Sequence, residues 1–222
     1  MLKLLSHPLT RNLNIDSPET THLRRRIIQE KKFLHRVYEE WYRHLINAIP
    51  KEDGIVLEIG SGAGFFKNCC PGVITSEYFH IDNIDLVIDA IHLPFADESL
   101  KAIVMTNVFH HLPQPGLFLQ EAARCLIPGG VVAMVEPWVT PWSRFVYSKL
   151  HHEPFLPEEN KWEFEGKGPL SGANGALPWM IFQRDRKKFE NEFPRLKVRN
   201  IEPMMSFRYL LSGGVSLISL QP

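Results

Sequence analysis

The segment Val56-Leu57-Glu58-Ile59-Gly60-Ser61-Gly62-Ala63-Gly64 constrains this chain more than any other stretch of it. An apolar run holding one carboxylate turns through three alternate glycines and enters Phe65-Phe66. That order reads as a buried strand, a tight loop and a helix start, the first half of a βαβ unit. Glycine permits positive φ and lets a ligand touch backbone without a Cβ in the way. The helix that follows offers free N–H groups toward the same point. The spacing is G-x-G-x-G, so the third glycine of the dinucleotide fingerprint G-x-G-x-x-G would fall on Phe65. A phenylalanine there crowds the place a pyrophosphate would occupy. Glu58, two residues before the first glycine, would repel phosphates and suits a ligand bearing cationic groups.

Around this loop the pattern alternates strands and helices. Ser17 as N-cap, Pro18 and Glu19 predict a helix start. Apolar residues at Ile27, Leu34, Val37, Trp41, Leu45 and Ile49 then mark one face of a single long helix that Pro50 ends. Strands are expected at Ile55–Ile59, Gly72–Ser76, Leu86–Asp89, Lys101–Thr106 and Val131–Val135, with a helix over Pro115–Leu126 and a turn at Pro128-Gly129-Gly130. Thr140 and Pro141 start another helix running through about Leu150. The irregular stretch His151–Pro178 is rich in Pro, Gly, Trp and Phe, and loops of that length are usually functional. A last helix over Trp179–Phe193 precedes two strand-like runs, Lys197–Glu202 and Val215–Leu220, read as a closing hairpin. The 222 residues suffice for one large α/β domain. The division expected is an arm and cap helix (1–50), a ligand-binding core (51–137), an insertion (138–195) and closing strands (196–222).

The loop spacing and Glu58 favour S-adenosylmethionine (SAM) over a nicotinamide dinucleotide. Here the sequence resembles the class I SAM-dependent methyltransferases, in the branch with the pattern hydrophobic-hydrophobic-[DE]-hydrophobic-G-x-G-x-G. The likeness runs on in order. It takes in Glu77, then Asp89-Ala90 followed by Leu93-Pro94-Phe95, and Asn107-Val108-Phe109-His110-His111-Leu112-Pro113. Pro128-Gly129-Gly130 and Val135-Glu136-Pro137 complete it. It covers about residues 55–137 and is similar to the small-molecule branch of the family. The resemblance implies a doubly wound, seven-stranded, mostly parallel sheet with one antiparallel strand near an edge. It further implies SAM as cofactor, S-adenosylhomocysteine as product, and methyl transfer as the activity. Glu58, Gly60, Ser61, Gly62, Gly64, Glu77, Asp89, Ala90 and Asn107 are then the expected cofactor contacts, with Glu77 at the ribose and Asp89 at the adenine. Only 17 positions separate Gly60 from Glu77, fewer than is usual in the family, so the first crossover helix is expected to be short. Asp82 and Asp85 stand as alternatives to Glu77.

Methyl transfer from a sulfonium is an in-line displacement, in which the protein aligns the acceptor and excludes water. A hydroxyl acceptor also needs its proton removed. His110 and His111 sit where the resemblance places the end of strand four, and with His152 they are the candidate bases; the other reading makes them structural. Glu136 and Tyr147 are candidate acceptor contacts. His151-His152-Glu153 is not read as a metal site, because adjacent residues rarely point at one ion. Trp138, Trp142, Trp162, Phe164 and Trp179 form either a small core under the insertion or an aromatic acceptor pocket. Arg184-Asp185-Arg186 is read as an ion-pair set on a helix face.

Lys and Arg number 25 and so do Asp and Glu, which argues against nucleic acid as partner. The acceptor expected is a small molecule, a sugar or a lipid-linked intermediate, with oxygen favoured over nitrogen or carbon. Arg24, Arg25, Arg26, Lys31 and Lys32 form a basic stretch, read as a solvated face or a weak peripheral contact. Three cysteines without metal or disulfide spacing read as reduced thiols. No apolar stretch reaches membrane-span length, so a cytoplasmic protein is expected. A silent SAM-binding protein and a nicotinamide-dependent oxidoreductase are the rival readings.

Overall fold

A computed structural model describes residues 14–150, 153–166, 168, 170–204 and 214–215, with the side chains of 148–150 set aside. Its centre is a five-stranded sheet of β1 (Ile55–Ile59), β2 (Val73–Glu77), β3 (Leu86–Val87), β4 (Leu100–Thr106) and β5 (Leu126–Val135). The order across the sheet is β3-β2-β1-β4-β5, and all four pairings are parallel. The chain winds outward from β1 to β3, then returns to lay β4 on the other side of β1. That reversal creates a crevice at the carboxyl ends of β1 and β4, the usual ligand position in such sheets.

Strand periodicity assigns the two faces. Leu57, Ile59, Ile103 and Met105 enter one core, with Phe109, Phe118, Leu177, Met180 and Phe189. Val56, Ala102, Val104, Ala133 and Val135 enter the other, with Ile27, Ile28, Leu34, Val37, Trp41 and Leu45. Helix α1 (Pro18–Glu30), helix α2 (Lys32–Ala48) and the four-residue α3 (Phe66–Cys69) supply the second face. Ser17 caps α1, its hydroxyl accepting from the Thr20 N–H at 3.4 Å. The single long helix expected here is two, because Lys31 leaves the helical region at φ −82°, ψ 90°. The break lets Ile27 and Ile28 on one segment and Leu34 and Val37 on the next all bury completely.

Helix α4 (Pro115–Cys125) packs on the first face, and α5 (Pro141–Leu150) follows β5. The first turn of α5 is closed by Thr140 and Ser143: the Ser143 N–H donates to the Thr140 hydroxyl at 3.0 Å, and the Thr140 N–H to the Ser143 hydroxyl at 2.7 Å. The expected helix over 179–193 is composite, with α6 (Leu177–Trp179), a π-helical turn (Met180–Arg184) and α7 (Arg186–Glu192). Asp185 interrupts it, accepting from Trp162 Nε1 at 2.8 Å and from Arg184.

Two further expectations change. Pro128-Gly129-Gly130 lies inside β5, as the irregularity where the β4–β5 register shifts, with Gly129 at φ 85°. Residues 197–202 form no strand: the Arg186 guanidinium donates to the Val198 carbonyl at 3.0 Å, taking a group a ladder would need. Residues 216–220, the rest of the expected hairpin, lie outside the described residues. The described sheet therefore has five strands and no antiparallel member. Among the described residues no helix is long and apolar enough to cross a membrane.

Ile103 is fully buried in β4 and Val87 is 53% exposed on the edge strand β3. Ile103→Ala is expected to cost about 2–5 kcal/mol and Val87→Ala no more than about 0.5 kcal/mol. Urea denaturation of both variants checks this order, and equal losses would contradict the assignment of centre and edge.

Candidate active site

Three loops converge on the crevice. The first follows β1, where Gly60 takes φ 68° and a β-carbon on it would collide with Val108 of the loop after β4. The two loops meet at the point where the sheet order reverses, and only a residue without a side chain allows it. Gly62 is enclosed on the other side, since a Cβ there would lie 2.5 Å from Glu77 Oε2 and 2.9 Å from Thr21 Cγ2. The Gly62 N–H donates to Glu77 Oε2 at 3.0 Å, and its carbonyl accepts from Arg25 Nε and Nη2 at 3.1 and 2.6 Å. The Phe65 N–H donates to the Tyr42 hydroxyl at 3.1 Å. Phe65 itself stacks on His35 of α2 with ring centroids 4.2 Å apart. The residue that breaks the dinucleotide spacing thus belongs to the packing of the N-terminal helices.

Glu58 is 4% exposed at the end of β1. Burial pushes its carboxyl up to about 7, with Ser61 opposing by a hydrogen bond and Glu77 adding to the rise. Burial likewise raises Glu77, against the pull of the Tyr78 and Gly62 N–H groups and of Arg25. Two carboxyls held high in adjoining positions form a site that a cation would relieve. Asp85 is not available for it: Lys67 at 2.6 Å and the Thr75 N–H and hydroxyl at 2.9 and 2.8 Å hold it near 2. Asp82 offers its backbone carbonyl to Arg25 Nη1 at 3.3 Å. Glu77 is therefore the acid that reaches the glycine loop. Asp89 follows β3 and accepts from the Ile91 N–H at 3.1 Å, while Ala90 is buried in the core behind it. Asn107 takes φ 55°, and its side chain lies close to the Tyr38 hydroxyl. Just before it the Thr106 hydroxyl is buried without a hydrogen-bond partner among the described residues.

Past Asn107 a 3₁₀ turn (Phe109–His111) carries the histidine pair, rings tilted with centroids 4.2 Å apart. Glu136, from the end of β5, anchors this turn. Its Oε1 accepts from the Val108 and Phe109 N–H groups at 2.8 Å each, and its Oε2 meets His110 Nδ1 at 2.6 Å. His110 Nε2 faces Glu153 Oε2 at 3.7 Å. Burial alone would lower the His110 pKa, but Glu136 and Glu153 together raise it to about 9. His111 sits low, at about 4, through burial and the adjacent His110. His111 Nδ1 contacts the Gly172 carbonyl at 2.9 Å, and the Asn174 N–H donates to the His110 carbonyl at 2.9 Å. The segment 172–174 therefore clamps the pair from the insertion side.

Of the three candidate bases, the structure brings His110 and His111 together and adds Glu153 and Glu136 to them. His152 lies outside the described residues. Glu153, read in the sequence only as part of His151-His152-Glu153, meets the histidine pair more than forty positions earlier. Arg25, Tyr38 and Tyr42 were hidden in a helix whose periodicity marks only its apolar stripe. Beyond Glu153 opens a cleft of about 590 Å³ lined by Arg144, Phe145, Tyr147, Pro154, Phe155 and Pro157. Tyr147 and Phe155 stack in its wall at 4.4 Å, and burial, with the negative charge of Glu153 and Glu136, raises the Tyr147 hydroxyl. Of the expected aromatic cluster, Trp162, Phe164 and Trp179 pack with the first core rather than this cleft.

Residues 57–134 match the family model of a methyltransferase domain. Such a domain implies S-adenosylmethionine as cofactor. Among solved structures, the chain is similar to a SAM-dependent methyltransferase of Thermotoga maritima, at 23% identity and TM-score 0.47, over 76% of this chain and 79% of that one. It is similar to a candidate methyltransferase of Bacillus halodurans, at 20% identity and TM-score 0.45, over 68% of this chain and 64% of that one. A third is the geranyl diphosphate C-methyltransferase of Streptomyces coelicolor, at 16% identity and TM-score 0.42, over 65% and 64%. The chain thus spans less than two thirds of the latter two.

Between pH 4.5, the ordinary value for a glutamate, and about 7, folded Glu58 keeps a proton that the unfolded chain has released. Glu58 therefore lowers stability progressively as pH rises through that window and adds no further change above it. Glu58→Gln should be more stable than the parent by on the order of 1–3 kcal/mol above pH 7, the difference shrinking toward pH 4.5. Denaturant melts across pH measure it, and a pH-independent difference would contradict the assignment. Gly62→Ala should weaken cofactor binding by at least about tenfold, since one lost kilocalorie or two at the loop is that factor; calorimetric titration with S-adenosylhomocysteine checks it.

Proposed function

We propose that the chain transfers a methyl group from SAM to a hydroxyl of a small-molecule, sugar or lipid-linked acceptor. The observation that carries this reading is the buried His110–His111–Glu153 group, standing between the glycine loop and the cleft of the insertion. The residues present fit the cofactor's chemistry. Glu58 and Glu77 are buried acids suited to a ligand bearing an ammonium, a sulfonium and ribose hydroxyls. Asp89 and Ala90 follow β3 on the adenine side, and Asn107 closes the crevice from β4. Gly60, Ser61, Gly62 and Gly64 give the backbone surface.

When bound, the cofactor supplies a methyl carbon on a positively charged sulfur. In the reaction a bond forms between the acceptor oxygen and that carbon as the carbon–sulfur bond breaks. The electron pair stays on sulfur, and the hydroxyl proton leaves to the protein. The proton's route is the histidine group. His111 donates from Nδ1 to the Gly172 carbonyl, which directs its lone pair to Nε2, the tautomer a proton acceptor needs. His110, tied to Glu136, holds the turn and faces Glu153. Tyr147 and Phe155 offer an apolar wall against which a ring or chain of the acceptor can lie. The balanced overall charge favours a neutral or mixed-charge acceptor over nucleic acid.

The test is transfer from methyl-labelled SAM into an extract of the source cells, separated into lipid, soluble small-molecule, glycan and protein fractions. Label is expected in one of the first three. His111→Ala should lower the transfer rate by about 10²–10⁴-fold while the dissociation constant for S-adenosylhomocysteine stays within about twofold. Label confined to protein would overturn the acceptor class. Cofactor binding with no transfer into any fraction would favour a silent SAM-binding protein.

A further inference from the structure

We infer that His110, His111 and Glu153 form a binding site for a divalent transition-metal ion of the zinc class. One ligand atom from each of the three lies within 4.8 Å of the others. The ligand set is two imidazoles and one carboxylate, which zinc accepts in catalytic sites that keep an open position. Ligand atoms around a tetrahedral zinc stand about 3.3–3.5 Å apart, given bonds of roughly 2.0–2.2 Å. His110 Nε2 and Glu153 Oε2 are 3.7 Å apart, close to that spacing.

The second observation is how the rings are held. Metal-ligating histidines almost always give their other ring nitrogen to a carboxylate or backbone carbonyl, which fixes tautomer and orientation. Both rings do so here: His110 Nδ1 meets Glu136 Oε2 at 2.6 Å and His111 Nδ1 meets the Gly172 carbonyl at 2.9 Å. The Nε2 atoms are left for an ion. Glu136 is itself fixed by the Val108 and Phe109 N–H groups, so the outer support is rigid. Charge agrees. The carboxylates of Glu136 and Glu153 flank the two imidazoles, with the His110 and Glu136 side chains only 2% and 3% exposed, so an entering dication meets buried negative charge.

Glu153 is shared between this cluster and the cleft, so a fourth coordination position is reached from the acceptor side. An acceptor hydroxyl bound there would lose its proton to solvent more readily, because the ion lowers its pKa. His111 would then be a ligand in place of a proton acceptor. Zinc binding itself requires neither cofactor nor acceptor, so it is measured independently of the methyl-transfer reading. Adjacent histidines in a 3₁₀ turn and a glutamate from a distant insertion are joined only by the fold, so their spacing along the chain carries no metal signature.

Chelator-treated full-length protein should bind one equivalent of Zn²⁺ in equilibrium dialysis, with a dissociation constant in the micromolar range or below. His111→Ala and Glu153→Gln should each weaken it by about 100-fold or more, and Glu136→Gln, which acts through His110, by about 10–100-fold. Co²⁺ on the unaltered protein should give the visible absorption of a four-coordinate site, a readout that needs no variant to fold. Absence of saturable Zn²⁺ binding at millimolar metal, or binding that survives Glu153→Gln with stoichiometry and affinity unchanged, would overturn the site.

Discussion

The carboxylate of Glu136 organises more of the crevice than any other group. It leaves the end of β5 and accepts the Val108 and Phe109 N–H groups as well as His110 Nδ1. Those two amides open a 3₁₀ turn, and in a short turn they have no carbonyl of their own to pair with. A buried acceptor meets that need, and a buried charge is tolerable only where such donors surround it. The same bond orients the imidazole, so backbone geometry and ring tautomer are set together. Besides this carboxylate, the loop after β4 is tied to β5 by the Asn107 N–H, which donates to the Val135 carbonyl at 2.8 Å; Glu136 extends that hold to Val108, which packs against Gly60.

The other wall of the crevice comes from the N-terminal helices. Arg25 binds the Gly62 carbonyl, Tyr42 accepts the Phe65 N–H, and Tyr38 reaches Asn107. The first two satisfy polar groups of the glycine loop that its internal bond, from the Gly64 N–H to the Ser61 carbonyl at 2.9 Å, leaves open. Asp16 extends the clasp across the molecule by accepting the Leu170 and Ser171 N–H groups at 2.7 and 2.9 Å. The segment before β1 thus joins the glycine loop to the insertion. The basic residues of α1 are accordingly not one surface. Arg25 turns inward to the loop, whereas Arg26 pairs with Glu30 on the outside at 2.6 Å.

The sheet was legible because buried parallel strands are short apolar runs with clear ends, and all five expected in the core are present. The first crossover helix is indeed short, one turn at Phe66–Cys69. Legibility failed where a side chain overrode a local pattern. The break at Lys31 leaves the apolar spacing on both sides intact, so periodicity alone reads through it. The Pro-Gly-Gly turn is absorbed into β5 because neighbouring β4 fixes its register. The 197–202 run has strand composition, yet Arg186 occupies one of its carbonyls. Among the candidate site residues, Glu58 was read from its spacing to the glycines, and Glu77 and the histidine pair from the family resemblance. Glu153 and Gly172 were not, since nothing local distinguishes a residue that closes a site from one that lines a loop.

These features divide the crevice into two electrostatic compartments. Around the glycine loop the fold buries Glu58 and Glu77 with Arg25 at the rim, a surface short of positive charge in its interior. Across the β4 loop it buries Glu136 and Glu153 around two imidazoles, again with more carboxylates than fixed cations. Neither arrangement favours folding by itself, because a buried carboxylate without full compensation raises the energy of the native state. Positive charge would relieve both; under the proposed reading it comes as the cofactor's sulfonium and ammonium in one compartment and as a proton or a metal ion in the other. One carboxylate in each compartment is held by backbone donors: Glu77 by the Gly62 and Tyr78 amides, and Glu136 by the Val108 and Phe109 amides. A cation that binds either compartment would add to the stability of the fold by mass action, so cation affinity and folding stability are linked through the same buried carboxyls.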